Sequence, residues 1–285
     1  MIIDFHAHIF SDEMRASRDE YAERDTWFST LYADPKHKLA SAEDVIASMD
    51  QAGVDKTVVL GFPWRDGGIC RRHNDYIIEA VQRYPDKLLG LACVQPLDAG
   101  DARELDRCLE AGLVGLGELG PDGQKWDVED KWVLADSVEV LMQHRRPLMV
   151  HSSEPLGHDY AGKGEQHPWR LLNLARNFPD LQIVLAHWGG GLPFYELMPE
   201  VREALRNVYY DSAASTYLYG FDVFPVVARL AGVERILWGT DYPLLSQKKF
   251  LERVRVCGLE KDDLEAVLGG NAARLLRVDG SGDAR

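Results

Sequence analysis

The chain has 285 residues, of which 46% are hydrophobic and 27% are charged, and its 32 basic and 46 acidic side chains give a net charge of −14 with histidine neutral. This composition is that of a soluble globular protein, and it excludes a disordered or fibrous chain. A strongly negative surface repels phosphate, so we expect neither nucleic acid nor a membrane as a partner. The chain opens without the pattern of a secretion signal, and its four cysteines form no C-x-x-C pair, so we expect a cytoplasmic protein.

Short apolar runs of strand type alternate with helical patterns along the chain. We expect eight strands, near residues 2–8, 56–62, 88–95, 113–118, 147–151, 182–187, 207–211 and 235–241. Their starts lie about 33 residues apart, which is the size of one strand–helix unit. This repetition predicts a single (β/α)8 TIM barrel, of class α/β, over residues 1–277. An open doubly wound sheet is the alternative, although no G-x-G-x-x-G turn follows the first strand.

Helix signals occur between the predicted strands. Ser41 followed by Asp44 indicates a capping box, and Gly53 indicates the end of the same helix. Pro168 stands where a proline often begins a helix. These signals support the alternation of strands and helices that a barrel requires.

Two connections are longer than a barrel needs. Residues 9–40 follow the first predicted strand, and residues 152–166 follow the fifth. Both begin at the carboxyl end of a strand, where barrels carry their active sites, so we expect lids or binding loops. Surface insertions without a role are the alternative. We expect the Gly-, Ser- and Asp-rich tail, residues 278–285, to be disordered.

Polar side chains recur at the ends of the predicted strands. His6 and His8 lie two residues apart on the first strand, so both point to the same side. Four other apolar runs end on a strongly polar side chain: Glu118, His151, His187 and Asp241. One such histidine alone is usually structural, but the repetition predicts a metal site at the barrel mouth. Because the set has no cysteine, it favours zinc, with manganese, iron or cobalt as alternatives.

On these motifs the chain resembles the amidohydrolase superfamily over nearly its whole length. The shared pattern is His-x-His on strand one, histidine on strands five and six, and aspartate on strand eight. The segments Leu-Ala-His187-Trp-Gly-Gly and Trp-Gly-Thr-Asp241-Tyr-Pro are most similar to the branch that contains aminocarboxymuconate-semialdehyde decarboxylase. The resemblance implies a distorted barrel with one or two divalent metals at its mouth.

The resemblance also implies roles for individual residues. It assigns His6, His8 and Asp241 to a first metal, with Glu118 bridging or supplementary. His151 completes a single site or belongs to a second one shared with His187. Asp241 is the expected proton-transfer group, and with one metal His187 becomes a second candidate acid–base residue.

The roles of Glu118 and Asp4 are less direct than those of the other residues. Many binuclear members have a carbamylated lysine at the position of Glu118, and a glutamate there is similar to the TatD-like nucleases. The net charge of −14 argues against a nuclease. Asp4 either orients a ligand or makes a hydrogen bond in the barrel floor.

Aromatic and cationic side chains near the predicted site indicate a small-molecule substrate. The candidate substrate-binding residues follow site residues or lie on the two long connections: Trp27, His158, Tyr160, Lys163, Trp188 and Tyr242. Such a lining fits a small, partly apolar, carboxylated molecule. The oligomeric state stays open, with a homodimer among the alternatives.

Three functions are compatible with these motifs. The leading prediction is a metal-dependent hydrolase, in which a metal-activated water cleaves a C–N or C–O acyl bond, because Glu118 and Asp241 accompany the His-x-His pair. The alternative is a metal-dependent, non-oxidative decarboxylase of an unsaturated or aromatic carboxylate, which the strand-six and strand-eight segments favour. The third reading is a barrel that keeps its metal as a structural clamp and is not an enzyme.

Overall fold

The computed structural model describes residues 1–278, and it confirms a barrel of eight strands. The predicted disordered tail lies outside the described residues, except for Val278. The strands are shorter than predicted, and the last has only two residues. Their bounds are Ile3–His8 (β1), Lys56–Leu60 (β2), Leu88–Gly90 (β3), Leu116–Leu119 (β4), Leu148–Val150 (β5), Ile183–Leu185 (β6), Val208–Asp211 (β7) and Ile236–Leu237 (β8).

The strands pair in parallel and in chain order, in two hydrogen-bonded groups. Strands β1 to β3 form one sheet and β4 to β8 form the other. Isolated bridges join the sheets at both seams, Ala7 with Tyr242 and Ala92 with Leu116. Across the first seam the Phe5 amide also donates to the Trp238 carbonyl at 2.8 Å. These contacts connect the two sheets into the predicted barrel.

Helices follow the strands and cover the outside of the barrel. Their bounds are Asp12–Ala16 (α1), Arg18–Arg24 (α2), Thr26–Tyr32 (α3), Ala42–Ala52 (α4), Gly67–Arg83 (α5), Asp101–Glu110 (α6), Pro121–Gln124 (α7), Lys131–His144 (α8), Pro168–Asn177 (α9), Pro199–Ala204 (α10), Ser215–Leu218 (α11), Val223–Ala231 (α12), Gln247–Val254 (α13), Lys261–Glu265 (α14) and Asn271–Leu276 (α15). The predicted capping box is present at the start of α4, where Ser41 and Asp44 each accept the other's amide. Among residues 1–278, no helix combines the length and apolar character that crossing a bilayer requires.

Two buried apolar clusters form the core. The smaller contains alternating strand residues such as Phe5, Leu60 and Met149, together with Leu276 of α15. The larger contains the apolar faces of the helices and the strand residues packed against them. Because the apolar side chains fill the barrel below the strand ends, the polar strand ends are left for the mouth.

The predicted long connection at residues 9–40 is a packed structure rather than an open loop. It contains α1, α2 and α3, and Phe28 of α3 packs against Phe62 and Trp64 with ring centroids 5.3 and 4.7 Å away. Buried His73 fixes its start, because its Nε2–H donates to the Ile9 carbonyl at 2.7 Å. The connection therefore presents a defined surface to the barrel mouth.

Two ligand-bearing strands contain irregularities. The register of β1 against β2 shifts between Asp4 and Ala7, and that of β4 against β5 shifts between Leu116 and Leu119. Such bulges re-aim side chains and are frequent beside active sites. In this protein they lie beside the predicted ligands of β1 and at Glu118.

Candidate metal centre

The structure brings all six predicted strand-end residues to the barrel mouth, in two adjoining groups. His6, His8 and Asp241 form one group, and the ligand atoms within it lie within 4.8 Å of one another. The second group has the same spread and consists of Glu118, His151 and His187. His6 and His8 lie on β1 and Glu118 lies on β4, whereas His151 directly follows β5, His187 lies two residues after β6 and Asp241 lies four residues after β8. The parallel strands therefore bring the six residues together.

The hydrogen bonds of the two β1 histidines show that their free nitrogens suit a cation. His8 Nδ1 lies 3.0 Å from the Gly61 carbonyl, which only accepts, so this nitrogen carries the proton. His6 Nδ1 lies 2.7 Å from Asp211 Oδ2 and likewise donates. Both Nε2 atoms then present lone pairs to each other at 3.0 Å. Only a shared cation or proton makes that approach favourable.

The surrounding carboxylates complete a ligand set for a divalent ion. Asp241 Oδ1 lies 3.6 Å from both Nε2 atoms, and Glu118 Oε2 lies 3.7 Å from both. Two ligands at right angles, each about 2.1 Å from an ion, are about 3.0 Å apart, so small adjustments bring these atoms into coordination range. Imidazole and carboxylate without thiolate suit zinc, manganese, iron or cobalt.

His187 and His151 contact the other oxygen of Glu118. His187 Nδ1 donates to the Ala213 carbonyl at 3.2 Å, which leaves its Nε2 lone pair 3.4 Å from Glu118 Oε1. His151 Nδ1 lies 3.1 Å from the same oxygen. Glu118 therefore stands between the two groups, with one oxygen toward each.

The charges of the site point to a cation as well. Burial alone would lower the pKa of His6, but the nearby carboxylates of Asp211, Asp241 and Glu118 raise it to about 10. Burial would raise the pKa of Glu118, yet His6 and His151 hold it well below its usual range. The mouth of the barrel thus strongly stabilises positive charge where the ligand atoms meet.

Asp211 is the site residue that our sequence analysis missed. It is fully buried at the end of β7, and its carboxylate fixes the tautomer and direction of His6. The other site residues were predicted because each is a strongly polar side chain at the end of a predicted strand. The same criterion applies to Asp211. Asp4 instead accepts from Thr240 Oγ1 at 2.6 Å and Gln247 Nε2 at 2.8 Å, so it makes the barrel hydrogen bond and does not contact an imidazole.

A cavity of about 440 Å³ opens over the metal centre. Three of the predicted substrate-binding residues line it, namely Trp27, His158 and Tyr160. Its lining also contains residues that the sequence did not single out: Leu31, Tyr32, Lys36, His37, Lys38, Phe62, Tyr217 and Leu244. Burial raises the pKa of Tyr32 strongly, and the Asp241 and Glu118 carboxylates raise it further.

The other three predicted substrate-binding residues do not line this cavity. Trp188 is fully buried, and its indole N–H donates to Ser215 Oγ at 2.7 Å. The Tyr242 hydroxyl lies 3.3 Å from the Asp44 carbonyl, and Lys163 Nζ donates to carbonyls of its own loop. Trp188 and Tyr242 directly follow predicted ligands in the sequence. Consecutive side chains point in different directions, so these two point into the protein and not into the cavity.

The fold and the ligand set define a family. The family model described as Amidohydrolase matches residues 3–278, nearly the whole chain. The chain belongs to this amidohydrolase family, which confirms the resemblance inferred from the motifs.

Similar proteins give a more specific context. The chain is 27% identical over 302 residues to gamma-resorcylate decarboxylase of Rhizobium radiobacter, covering 86% of this chain and 90% of that protein. It is 24% identical to 2-amino-3-carboxymuconate-6-semialdehyde decarboxylase of Dictyostelium discoideum, covering 72% of this chain and 66% of that one. The fold matches 5-carboxyvanillate decarboxylase of Novosphingobium aromaticivorans, complexed with manganese and 4-hydroxy-3-methoxy-5-nitrobenzoic acid, with a TM-score of 0.77, 20% identity and coverage of 97% and 96%.

These relatives correct our leading prediction. Hydrolysis of an acyl bond was the wrong reading, since the curated relatives that align with most of the chain are named decarboxylases. The error came from Glu118, which we took as a sign of an activated water. In the structure Glu118 contacts His151 and His187, and such a contact does not require hydrolysis. The comparisons support an enzyme, and they give no support to zinc over other divalent ions.

Proposed function

We propose that this protein is a metal-dependent decarboxylase that removes CO₂, without oxidation, from a small aromatic or unsaturated carboxylate. The observation that carries the proposal is the shared decarboxylase name of relatives that cover up to 88% of the chain. The site supports it, because a cation-binding centre lies at the base of a cavity with apolar walls.

We propose manganese as the metal, since the structural neighbour carries it and the imidazole and carboxylate ligands here suit it. His6, His8 and Asp241 would hold the ion, with Glu118 beside them. A divalent cation at this position would neutralise and orient the substrate carboxylate. Asp211 keeps the His6 nitrogen in the tautomer that this task needs.

The reaction needs a proton at carbon. The bond between the ring or alkene carbon and the carboxyl carbon breaks, its electron pair stays on the ring or alkene carbon, and that carbon takes one proton as CO₂ leaves. Asp241 both belongs to the metal-binding group and lines the cavity, with 16% of its side chain exposed. We assign proton delivery to a carboxyl oxygen of Asp241. His187, which also lines the cavity, stays a predicted acid–base residue.

The cavity walls favour loss of charge from the substrate. Trp27, Phe62 and Leu244 line the cavity with apolar surface, and Tyr32 of α3 lines it as well. Apolar walls limit water around a carboxylate and favour its conversion to neutral CO₂.

The test is release of CO₂ by manganese-loaded protein from a panel of ortho-hydroxybenzoates and unsaturated dicarboxylates. Asp241→Asn should lose at least about 100-fold in kcat, because the proton donor is gone. The matched control is Asp180→Asn, which removes a carboxylate of a surface ion pair with Arg206 and should keep full activity. Turnover of esters, amides or lactones without CO₂ release would overturn the proposal.

A further inference from the structure

The charged residues that line the cavity are separated by sign. Among the described residues its carboxylates are Glu118 and Asp241, both part of the metal centre. Its ammonium groups are Lys36 and Lys38, both on the segment after α3. The net charge of the chain is −14. From this composition we would not expect a cavity in which the lysine and carboxylate side chains outside the metal centre are all positive.

The segment that carries Lys36 and Lys38 is held in place by Arg18. Arg18 Nη1 lies 3.1 Å from the Tyr32 carbonyl, 3.0 Å from that of Asp34 and 2.9 Å from that of His37. One guanidinium group thus contacts three backbone carbonyls, which lie on both sides of Lys36 and end directly before Lys38. A backbone fixed in this way lowers the entropic cost of ordering the segment when a ligand binds.

The two ammonium groups differ in their partners. Lys38 Nζ lies 3.3 Å from Asp44 Oδ1 and 3.4 Å from the Tyr242 hydroxyl, so it stands beside the residue that follows Asp241. Within residues 1–278, Lys36 Nζ makes no ion pair, although its backbone amide donates to Asp34 Oδ1 at 2.9 Å. The cavity therefore keeps at least one ammonium group available for a ligand.

We propose that the substrate carries a second carboxylate, bound by Lys36 and Lys38, at the end remote from the carboxylate that is lost. This inference rests on the proposed function, because it takes the metal centre as the place of the reacting carboxylate. A cavity of about 440 Å³ has room for a ring with substituents at both ends. Ammonium–carboxylate hydrogen bonds supply both affinity and orientation. Arg18 is the positioning residue of the segment.

Binding of two simple probes tests the proposal without turnover. Calorimetry on full-length, manganese-loaded protein compares benzoate with isophthalate, which differs by one carboxylate. We expect isophthalate to bind about tenfold more tightly, and Lys36→Met/Lys38→Met to reduce that ratio to about twofold or less while leaving benzoate affinity unchanged. Replacing both lysines by arginine should retain the preference, and Arg18→Met should weaken isophthalate binding selectively.

The matched control is Lys131→Met/Lys261→Met, which removes two exposed ammonium groups outside the cavity lining and changes net charge equally. This control should keep the tenfold ratio. Equal affinity of the wild type for both probes, or equal weakening of both by the Lys36→Met/Lys38→Met variant, overturns the proposal. A retained preference without CO₂ release from any substrate would instead contradict the proposed function and leave only the carboxylate-binding role of Lys36 and Lys38 standing.

Discussion

Proton positions on three imidazoles define the chemistry of the barrel mouth. Backbone carbonyls fix the Nδ1 protons of His8 and His187, and the Asp211 carboxylate fixes that of His6. The remaining Nε2 atoms are left to a cation. A carboxylate partner raises the basicity of a ligand histidine, so Asp211 is as much part of the centre as the ligands.

Asp211→Asn tests this dependence. The amide can still accept from His6 Nδ1, but it lacks the negative charge that raises the pKa of His6. We expect manganese affinity to fall about 10- to 100-fold in a metal titration, with little change in fold. The surface variant Asp180→Asn serves again as control. Unchanged manganese affinity in Asp211→Asn would show that Asp211 does not contribute to the metal centre.

At the scale of elements, the bulges in β1 and β4 aim the ligands. Gly117, directly before Glu118, has φ +129°, and a Cβ there would collide with the carbonyl of Met149 on β5. Both observations require glycine at this position. Sequence periodicity could not predict these irregularities, because alternation assumes a regular register.

Gly117→Ala should therefore displace Glu118 as well as strain the strand. We expect a loss of about 3 kcal/mol in the free energy of unfolding, from overpacking and the positive φ together, and weaker manganese binding. Urea unfolding and metal titration measure the two effects. Gly220→Ala, where a Cβ meets nothing within 4 Å, is the matched control and should change neither.

The connection of residues 9–40 depends on a neutral His73. Its Nε2–H donates to Ile9, while its Nδ1 accepts from the Phe62 amide and the Trp64 indole, so protonation of Nδ1 would break both bonds that this nitrogen accepts. Burial lowers the pKa of His73 to about 4. The unfolded chain takes up this proton as pH falls below about 6.5, whereas the folded chain resists until about pH 4.

The contribution of His73 to the free energy of unfolding should therefore decrease as pH falls from 6.5 toward 4. This contribution decreases by about 2 kcal/mol between pH 7 and pH 5. Urea unfolding of wild type and His73→Gln at the two pH values isolates this contribution, because the variant cannot titrate there. A decrease of the same size in both proteins would show that His73 is not responsible.

At the scale of the whole molecule, the metal centre spans the two sheets of the barrel. His6 and His8 belong to the first sheet, Glu118 belongs to the second, and Asp241 follows β8. A bound ion would thus reinforce seams at which the described strands are joined by isolated bridges. Metal binding and global stability should be coupled.

Removal of the metal by a chelator should lower Tm by roughly 5 °C, and added manganese should restore it, if the free ion stands near 100 times its Kd. Thermal unfolding followed by circular dichroism measures the shift. Asp241→Asn should show a much smaller shift, since a ligand is missing. An identical Tm with and without metal would show that metal binding does not stabilise the barrel.

The sequence was sufficient for the barrel and for six residues of the mouth, because parallel strands bring their ends together whatever their exact length. It was insufficient where tertiary contacts decide direction. Trp188 and Tyr242 follow site residues yet turn inward, and the lysines after α3 line the cavity on a segment whose backbone Arg18 contacts. The reaction itself was misjudged, because one ligand set serves both water activation and carboxylate binding.

The origin of the hydrogen on the product tests the central claim most directly. Manganese-loaded protein is incubated in D₂O with a turned-over aromatic carboxylate, and the product is examined by NMR while CO₂ is measured. A decarboxylase places one deuterium on the carbon that lost its carboxylate, with one CO₂ for each product molecule. A product that retains its carboxylate, or that gains oxygen from water without CO₂ release, would contradict the account.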